Sequence, residues 1–365
     1  MTVSHRADAT AAGAHRRSDG LSRRRMLGLA GLVAVPAAAF GLHRIRADET
    51  PAGTTPTPVG TDVPARATPS PSRTTPTPPA VVTKGGGPVP FHNGKAMLGA
   101  YLALSGMSPS EALALRRRQF GRDERIVHLF YGWTDPLPRS IPYLSDSAVP
   151  MISWRGCDYG DILDGSSDAL IERAARNLRK LRRPTLLRWA WEMNGDWYEW
   201  GGPRNDDDPA GFVRCWQRLR GIFADQNADN VSWVWSVNWN NSPNESWNRY
   251  QHYYPGDQHV DWVGVSGYNL HRELPDRLFA GVYAAYATKK PIMISEVGAV
   301  DRGGTTKADW ITAFGQWVKQ HPAVGAVTWF DTDTHPGYDE RWRVDTDPAA
   351  LAAYRAMARD PRFAG

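Results

Sequence analysis

The sequence predicts an α/β fold, a (β/α)8 TIM barrel, from two observations. Short apolar runs alternate with helical patterns over about 280 residues, which is typical of a parallel sheet with crossover helices. Eight of these runs are suited to strands, and eight strands close such a barrel. The predicted strands are 96–103, 126–130, 149–154, 185–190, 231–236, 261–266, 291–295 and 324–330. The predicted helices are 167–181, 209–224, 275–287 and 306–320.

The first 85 residues contain little that could build a core. Paired arginines, Arg23 and Arg24, precede a short apolar stretch, which is the pattern of a twin-arginine export signal. Cleavage before Phe40, or less favourably near Ala47, would release the chain, whereas an uncleaved segment would attach it to the membrane or cell envelope. We therefore expect residues 1–47 to be a signal peptide or retained anchor.

Residues 48–85 are dominated by Thr and Pro, which predicts a disordered, semi-rigid linker. Residues 86–365 are then the folded domain. A spacer of this kind would let an exported enzyme reach a polymer outside the cell, so the localisation that we expect is secreted or cell-envelope associated.

The net charge of +5 arises mainly outside the folded domain. Residues 1–85 contain 11 basic and 5 acidic side chains, which leaves 32 and 33 for the remainder. A nucleic-acid or anionic-membrane partner favours a basic folded domain, so the composition argues against both partners. We expect a monomer.

No cofactor or metal is implied by the motifs. The histidines lack ligand spacing and no nucleotide-binding glycine pattern is present. Three aspartates, 206–208, precede Pro209 and are better suited to capping a helix than to binding a metal. Cys157 and Cys215 could form a disulfide in an exported protein, but the sequence leaves this open.

Two glutamates end predicted strands, Glu192 in RWAWEMNG and Glu296 in KPIMISEVG. Functional residues of (β/α)8 barrels lie at the C-terminal ends of the strands, and these two follow strands four and seven. The alternation of a strand places Arg188, Ala190 and Glu192 on one face, so that Arg188 lies below the carboxylate. A pair of surface glutamates is the alternative, but their aromatic surroundings favour a paired-carboxylate hydrolase.

Carbohydrate is the partner that the tryptophans indicate. All 16 lie at or after Trp133, and flat indole faces stack against the C–H faces of sugar rings. About half of them, such as Trp233 and Trp235, are expected to be core residues. The candidate substrate-binding residues are Trp133, Trp154, Arg188, Trp191, Asn194, Trp197, Trp239, Tyr268 and Trp329.

The chain resembles the glycoside hydrolase family 26 β-mannanases from about Ala96 to Phe363. The most specific motifs are RWAWEMNGDWYEW, DWVGVSGYN, KPIMISEVG and AVTWFD. The resemblance implies that Glu192 is the general acid/base and Glu296 the nucleophile of a retaining hydrolase. It also implies that Tyr268 is a hydrogen-bond partner of the nucleophile and that Trp329 is a platform beneath the cleaved sugar.

One position departs from the family pattern. The family usually has His immediately before the acid/base glutamate, whereas this chain has Trp191. Imidazole offers two ring nitrogens for hydrogen bonding, but indole offers one N–H donor and more bulk. An endo-acting hydrolase of β-1,4-mannan is the first expectation. Mixed-linkage β-glucan, β-1,3-xylan and a non-catalytic carbohydrate-binding protein of the cell envelope remain as alternatives.

Overall fold

A computed structural model describes residues 81–333 and 341–365, and these residues form a closed barrel of eight parallel strands in sequence order. The predicted fold class is thereby confirmed. The strands are β1 (Met97–Ala103), β2 (Ile126–Tyr131), β3 (Val149–Trp154), β4 (Thr185–Trp189), β5 (Val231–Asn238), β6 (Trp262–Asn269), β7 (Ile292–Ala299) and β8 (Val324–Thr332). The predicted export signal and most of the predicted linker lie outside the described residues.

Helices cover the outside of the strands, as the crossover pattern predicts. They are α1 (Pro109–Phe120), α2 (Tyr159–Leu163), α3 (Asp168–Lys180), α4 (Pro209–Asp225), α5 (Pro275–Tyr286), α6 (Thr306–Gln320) and α7 (Pro348–Arg359). The four predicted helices correspond to α3, α4, α5 and α6. None of the helices described is both long and apolar enough to cross a membrane.

Helix α1 was missed because its buried face is partly charged. It begins with a capping box in which Ser108 and Glu111 satisfy each other's backbone N–H groups. Its buried residues are Ala112, Arg116 and Phe120, so apolar periodicity is weak. Arg116 is fully buried and binds Asp331 of β8 at 2.6 Å, which holds α1 against the last strand.

The N-terminal end of the barrel is closed by the chain that precedes β1. The backbone N–H of Val82 donates to the carbonyl of Ala287 at 2.8 Å. Phe91 packs edge-on against Trp262 with 6.0 Å between ring centroids, and the indole N–H of Trp262 donates to the carbonyl of Gly86 at 3.0 Å. Packed structure therefore begins before residue 85, where the linker was expected to end.

Most of the tryptophans are core residues. Twelve of the sixteen are buried, and only Trp133, Trp197, Trp239 and Trp247 keep partly exposed rings. A representative buried ring is Trp189, which points out of β4 and stacks on Phe212 of α4 with 5.5 Å between centroids. More of the tryptophans than the expected half therefore pack between strands and helices. Only four tryptophan rings are accessible to a sugar.

Two smaller expectations are refined by the structure. Asp208 occupies the position before α4, but its side chain makes no capping hydrogen bond and pairs with Arg214 at 2.9 Å. Cys157 and Cys215 are both buried and both free thiols.

Candidate active site

Strand β4 ends abruptly, and the turn after it places Glu192 over the barrel. Ala190 and Glu192 have φ of +43° and +56°, a left-handed conformation that costs on the order of 1–3 kcal/mol for residues other than glycine. The backbone N–H of Glu192 donates to the carbonyl of Ser236 on β5 at 2.8 Å. The strand alternation used in the prediction therefore stops at Trp189, although Glu192 still lies above Arg188.

Arg188 is fully buried and joins both glutamates. Its guanidinium donates to Glu296 Oε1 and lies 3.8 Å from Glu192 Oε1. Glu192 and Glu296, called the catalytic pair below, are 1% and 2% exposed. Two carboxylates buried so close together repel each other unless a cation or a proton compensates. Arg188 lies beside Glu192, as the strand alternation predicted, and its guanidinium is bound within the protein. Its contact with substrate stays a prediction.

Two donors bind the Glu296 carboxyl group. Its second carboxylate oxygen accepts a hydrogen bond from the Tyr268 hydroxyl. Burial, and then the charge of Glu296, raise the pKa of Tyr268 well above its ordinary value, so the phenol retains its proton as a donor. With Arg188 on one oxygen and Tyr268 on the other, Glu296 has the surroundings of a fixed carboxylate.

Glu192 has the surroundings of a carboxylic acid that can hold its proton. Burial and the nearby Glu296 raise its pKa to about 7, against the opposing influence of Arg188. The indole N–H of Trp197 donates to Glu192 Oε2 at 3.0 Å. This bond and one from Ser266 favour the ionised form and limit the increase in pKa. Glu192 can therefore hold a proton near neutral pH and donate it to a reacting group.

A polar layer beneath the catalytic pair was not predicted. Arg188 donates to hydroxyls of three strands, Ser153 at 3.2 Å, Ser236 at 3.0 Å and Ser266 at 2.7 Å. His128 of β2 contacts Ser153 at 2.6 Å, and burial and Arg188 lower its pKa, so the ring is neutral. The serines within the otherwise apolar strands could have indicated this polar layer, because a buried hydroxyl requires a hydrogen-bond partner.

Trp191 packs beside Arg188 and is only 4% exposed. The guanidinium carbon of Arg188 lies 5.0 Å from its ring centroid. Its ring packs edge-on against Tyr198 with 5.3 Å between ring centroids. The Trp191 ring therefore packs within the protein, and its predicted contact with substrate stays a prediction.

Three other predicted substrate-binding side chains, Trp154, Asn194 and Trp329, are fully buried and packed within the protein. Trp154 stacks on Trp133 with 4.5 Å between centroids. Trp329 points outward from β8 and packs 5.5 Å from Tyr354 of α7, so it cannot lie beneath a sugar. Asn194 donates to the carbonyl of Asn238 at 3.0 Å and accepts from its N–H at 2.9 Å, and it thereby ties the β4 turn to the end of β5.

Trp342 is a further residue near Glu296 that the motifs did not identify. It packs edge-on against Tyr268 with 5.1 Å between centroids. Its approach requires glycine at position 298, since an added Cβ would come within 2.8 Å of the indole ring. Its carbonyl accepts the indole N–H of Trp329 at 3.0 Å. A residue far from strand motifs therefore helps to position the tyrosine that binds Glu296.

Three of the tryptophans predicted to bind substrate, Trp133, Trp197 and Trp239, remain partly exposed. Trp133 follows β2 and Trp239 follows β5, and both rings are partly exposed. The guanidinium carbon of Arg277 lies 5.6 Å from the Trp239 ring centroid. With Trp197, these rings distribute aromatic surface over the loops after β2, β4 and β5. Within residues 81–333 and 341–365, no three His, Cys, Asp or Glu side chains are grouped to hold a metal ion.

Comparisons with known proteins agree with this geometry. The sequence model of glycosyl hydrolase family 26 matches residues 145–357. Endoglucanase H of Acetivibrio thermocellus is 32% identical over 72% of this chain and 30% of its own length. A beta-1,3-xylanase of a Vibrio species is 30% identical over 42% of this chain and 32% of its own length. A mannan endo-1,4-beta-mannosidase of Bacillus subtilis is 24% identical over 44% of this chain and 47% of its own length.

A structural likeness extends over most of the barrel. Bacillus subtilis mannanase BCman superposes with a TM-score of 0.54 at 21% identity, covering 74% of this chain and 86% of that protein. The chain spans between about a third and a half of the length of the curated relatives that it matches. The family match covers the turn with Glu192 and the strand with Glu296, as the motifs predicted. The chain belongs to glycosyl hydrolase family 26.

Proposed function

We propose that the chain is an exported, endo-acting retaining β-glycanase that cleaves a β-linked polysaccharide by double displacement. The observation that carries the proposal is the unequal environment of the catalytic pair. Glu296 is bound by a guanidinium and a phenol, whereas burial and Glu296 raise the pKa of Glu192 to about 7. Retaining hydrolysis needs one ionised nucleophile and one protonated acid.

In the first step, the Glu296 carboxylate attacks the anomeric carbon and the glycosidic C–O bond breaks. Glu192 gives its proton to the departing oxygen, and a covalent glycosyl-enzyme remains. In the second step, the ionised Glu192 removes a proton from water, which attacks the same carbon and breaks the ester bond to Glu296. Arg188 holds Glu296 in position through both steps.

We propose a β-glucan containing 1,4-linkages as the substrate. Endoglucanase H is the relative that matches over the largest part of the chain among those compared above. Trp191 weakens the case for mannan, because it stands where the family usually has histidine. The partly exposed tryptophans on three loops support binding of several sugars, as endo action requires.

Mannan, the substrate first expected from the sequence, is the second candidate. The Bacillus subtilis mannan endo-1,4-beta-mannosidase favours it, and the Vibrio beta-1,3-xylanase favours β-1,3-xylan in the same way. Both matches cover less than half of the chain, so we rank them after glucan.

A substrate panel tests this ranking. Release of reducing ends from mixed-linkage β-glucan, carboxymethyl cellulose, β-1,4-mannan and β-1,3-xylan is measured, with Glu296→Ala as the control for contaminating activity. We expect mixed-linkage β-glucan to be hydrolysed fastest and to give a mixture of oligosaccharides. Faster hydrolysis of mannan or xylan would refute the glucan assignment. Binding to these polymers without hydrolysis would instead support the non-catalytic alternative.

The pH profile is expected to report Glu192 directly. Since the acid must be protonated, kcat/KM falls as pH rises through its pKa of about 7. Trp197→Phe removes the N–H that stabilises the ionised form, so the pKa should rise and the basic limb should move upward by about one pH unit.

Trp317→Phe is the matched control, because that indole N–H donates to Asp276 of α5 at 3.2 Å. Its profile should coincide with that of the unaltered protein. A downward or absent shift in Trp197→Phe would contradict the assignment of Glu192 as the acid.

Export is part of the proposal and rests on the residues around Arg23 and Arg24. Changing both to lysine should leave folded, active protein in the cytoplasm, since twin-arginine export depends on the arginine pair. Immunoblots of cell fractions check this outcome. Undiminished secretion of the double variant would refute the twin-arginine route, and a membrane-bound product would support retention as an anchor.

A further inference from the structure

Lys307 is a buried charged side chain that the proposed mechanism does not use. It is the second residue of α6 and is 1% exposed. Burial lowers its pKa to about 8, although the charges of Asp331, Asp301 and Asp347 oppose this shift, so the side chain is an ammonium at neutral pH. A cation in the first turn of a helix also opposes the helix dipole. Burial and the dipole are both unfavourable for folding, which indicates a further role for the ammonium.

The ammonium binds a segment of irregular backbone before α7. Residues 341–343, called the strap below, belong to no helix or strand. Lys307 Nζ donates to the carbonyl of Arg341 at 2.8 Å and to that of Arg343. The carbonyl between them accepts the indole N–H of Trp329 at 3.0 Å. Side chains of α6 and β8 thus satisfy three successive carbonyls that have no partner in regular secondary structure.

The middle residue of the strap is Trp342, and its ring is fixed against the tyrosine that binds Glu296. The ring lies edge-on to Tyr268 with 5.1 Å between centroids. Glycine at position 298 leaves room for it, because an added Cβ would come within 2.8 Å of the indole. The Tyr268 hydroxyl donates to Glu296. A series of direct contacts therefore leads from the ammonium of α6, through the strap, to the Glu296 carboxyl group.

Ion pairs also hold the two ends of the strap, but through side chains. Arg341 lies 3.3 Å from Asp301. Arg343 lies 2.6 Å from Asp333. The two arginine side chains are 63% and 27% exposed, so water weakens these pairs. The Lys307 ammonium is buried and binds the backbone itself on both sides of the tryptophan, so it defines the position of the ring more closely.

We propose that Lys307 is a positioning residue for the reaction, which holds the strap so that the Tyr268 hydroxyl stays on the Glu296 carboxyl group. The proposal rests on the proposed glycanase function and adds to it a residue of the outer helix layer. Lys307 is 1% exposed, so substrate does not touch it. Loss of the ammonium should therefore slow the attack by Glu296 and leave the binding of sugar almost unchanged.

The test is Lys307→Met, which removes the ammonium and keeps an unbranched side chain. Values of kcat/KM are measured on an activated aryl β-glycoside, whose first step needs the nucleophile but not protonation of the leaving group. We expect kcat/KM to fall about tenfold, since a small misplacement of a reacting group is enough for such a loss. The inhibition constant of an oligosaccharide product, which reports binding alone, should change less than about twofold.

A double-mutant cycle with Tyr268→Phe separates positioning from general damage. If Lys307 acts through the tyrosine hydroxyl, nothing is left for it to position once that hydroxyl is gone. Lys307→Met should then lower kcat/KM about tenfold in the otherwise unaltered protein but less than about twofold in the Tyr268→Phe protein. An equal loss in both backgrounds, or no loss in the otherwise unaltered protein, would overturn the proposal.

Lys319→Met is the matched control on the same helix. Lys319 lies in the last turn of α6 and pairs with Asp360 at 2.8 Å, and its side chain is 41% exposed. Its replacement should leave kcat/KM unchanged in both backgrounds, and a loss as large as that of Lys307→Met would count against a specific role of Lys307.

A second variant covers the case in which Lys307→Met does not fold, which urea denaturation would reveal. Lys307→Gln removes the charge, keeps an N–H donor and is too short to bind both carbonyls as the lysine does. It enters the same cycle, and its loss should again largely disappear in the Tyr268→Phe background. A loss of the same size in both backgrounds would overturn the proposal here too.

Failure of the proposed function and failure of the role of Lys307 are distinguishable. If the unaltered protein hydrolyses the aryl glycoside but the cycle shows no coupling, only the role of Lys307 is wrong. If the unaltered protein hydrolyses nothing, the proposed function is wrong. Urea denaturation of the four proteins of the cycle then tests the series of contacts alone. Non-additive losses of stability would support the link between Lys307 and Tyr268, and additive losses would refute it.

Discussion

Glu296→Ala is expected to lower activity on every substrate by at least about 10⁴-fold, because no other group at the site can form the covalent intermediate. Glu296 is 2% exposed and is bound by Arg188 and Tyr268, so its carboxylate is fixed in place. The loss is measured as kcat/KM on the polysaccharide and on an activated aryl glycoside.

Glu192→Ala should behave differently on the two substrates. An aryl group leaves without protonation, so the intermediate still forms, but its hydrolysis stalls because no base activates water. Azide needs no base and should restore turnover, giving a β-glycosyl azide. Equal losses in both glutamate variants on both substrates, without rescue by azide, would contradict the two roles.

Arg188→Met should have the second largest effect, on stability as well as on activity. It removes the buried cation that lies between two buried carboxyls. Breaking a buried ion pair by deleting one partner costs about 3–5 kcal/mol of unfolding free energy. The cost should be greater at pH 8 than at pH 5, because Glu192, whose pKa is about 7, is then ionised beside Glu296.

A double variant separates charge from packing. Arg188→Met combined with Glu296→Gln removes both charges, so urea denaturation should show recovery of much of the lost stability while activity stays absent. The reference is Glu296→Gln alone. If Arg188→Met is as stable as the unaltered protein at pH 8, the guanidinium does not hold the catalytic pair together.

The barrel was predictable because each strand carries its own local signal. Apolar runs such as VSWVWSV are buried on both faces in a (β/α)8 barrel, and their number and spacing follow from the sequence. Helix α1 was not predictable in this way, because its buried face contains Arg116. Its partner, Asp331, is far away in the sequence, in β8, although the two side chains are in contact. Long-range pairing of charges leaves no periodic pattern.

The positions of Glu192 and Glu296 at the ends of strands were predictable, but their surroundings were not. Glu192 and Glu296 follow strands with recognisable motifs, whereas the distinction between buried and accessible tryptophans depends on which side of the strand each indole occupies. The positive φ angles at Ala190 and Glu192 end the alternation of β4 early. Trp329 points outward towards α7, and Trp342, which comes from a later segment, packs against Tyr268.

The central claim is that Glu296 forms a covalent bond with the sugar while Glu192 moves the proton. It is tested most directly by trapping with an activated 2-deoxy-2-fluoro-β-glycoside of the sugar that the substrate panel identifies, followed by mass spectrometry of the digested protein. The account predicts one added glycosyl group on the peptide that contains Glu296, in the unaltered protein but not in Glu296→Ala. Labelling of the peptide that contains Glu192, or slow turnover with no covalent adduct and an α-configured product, would contradict it.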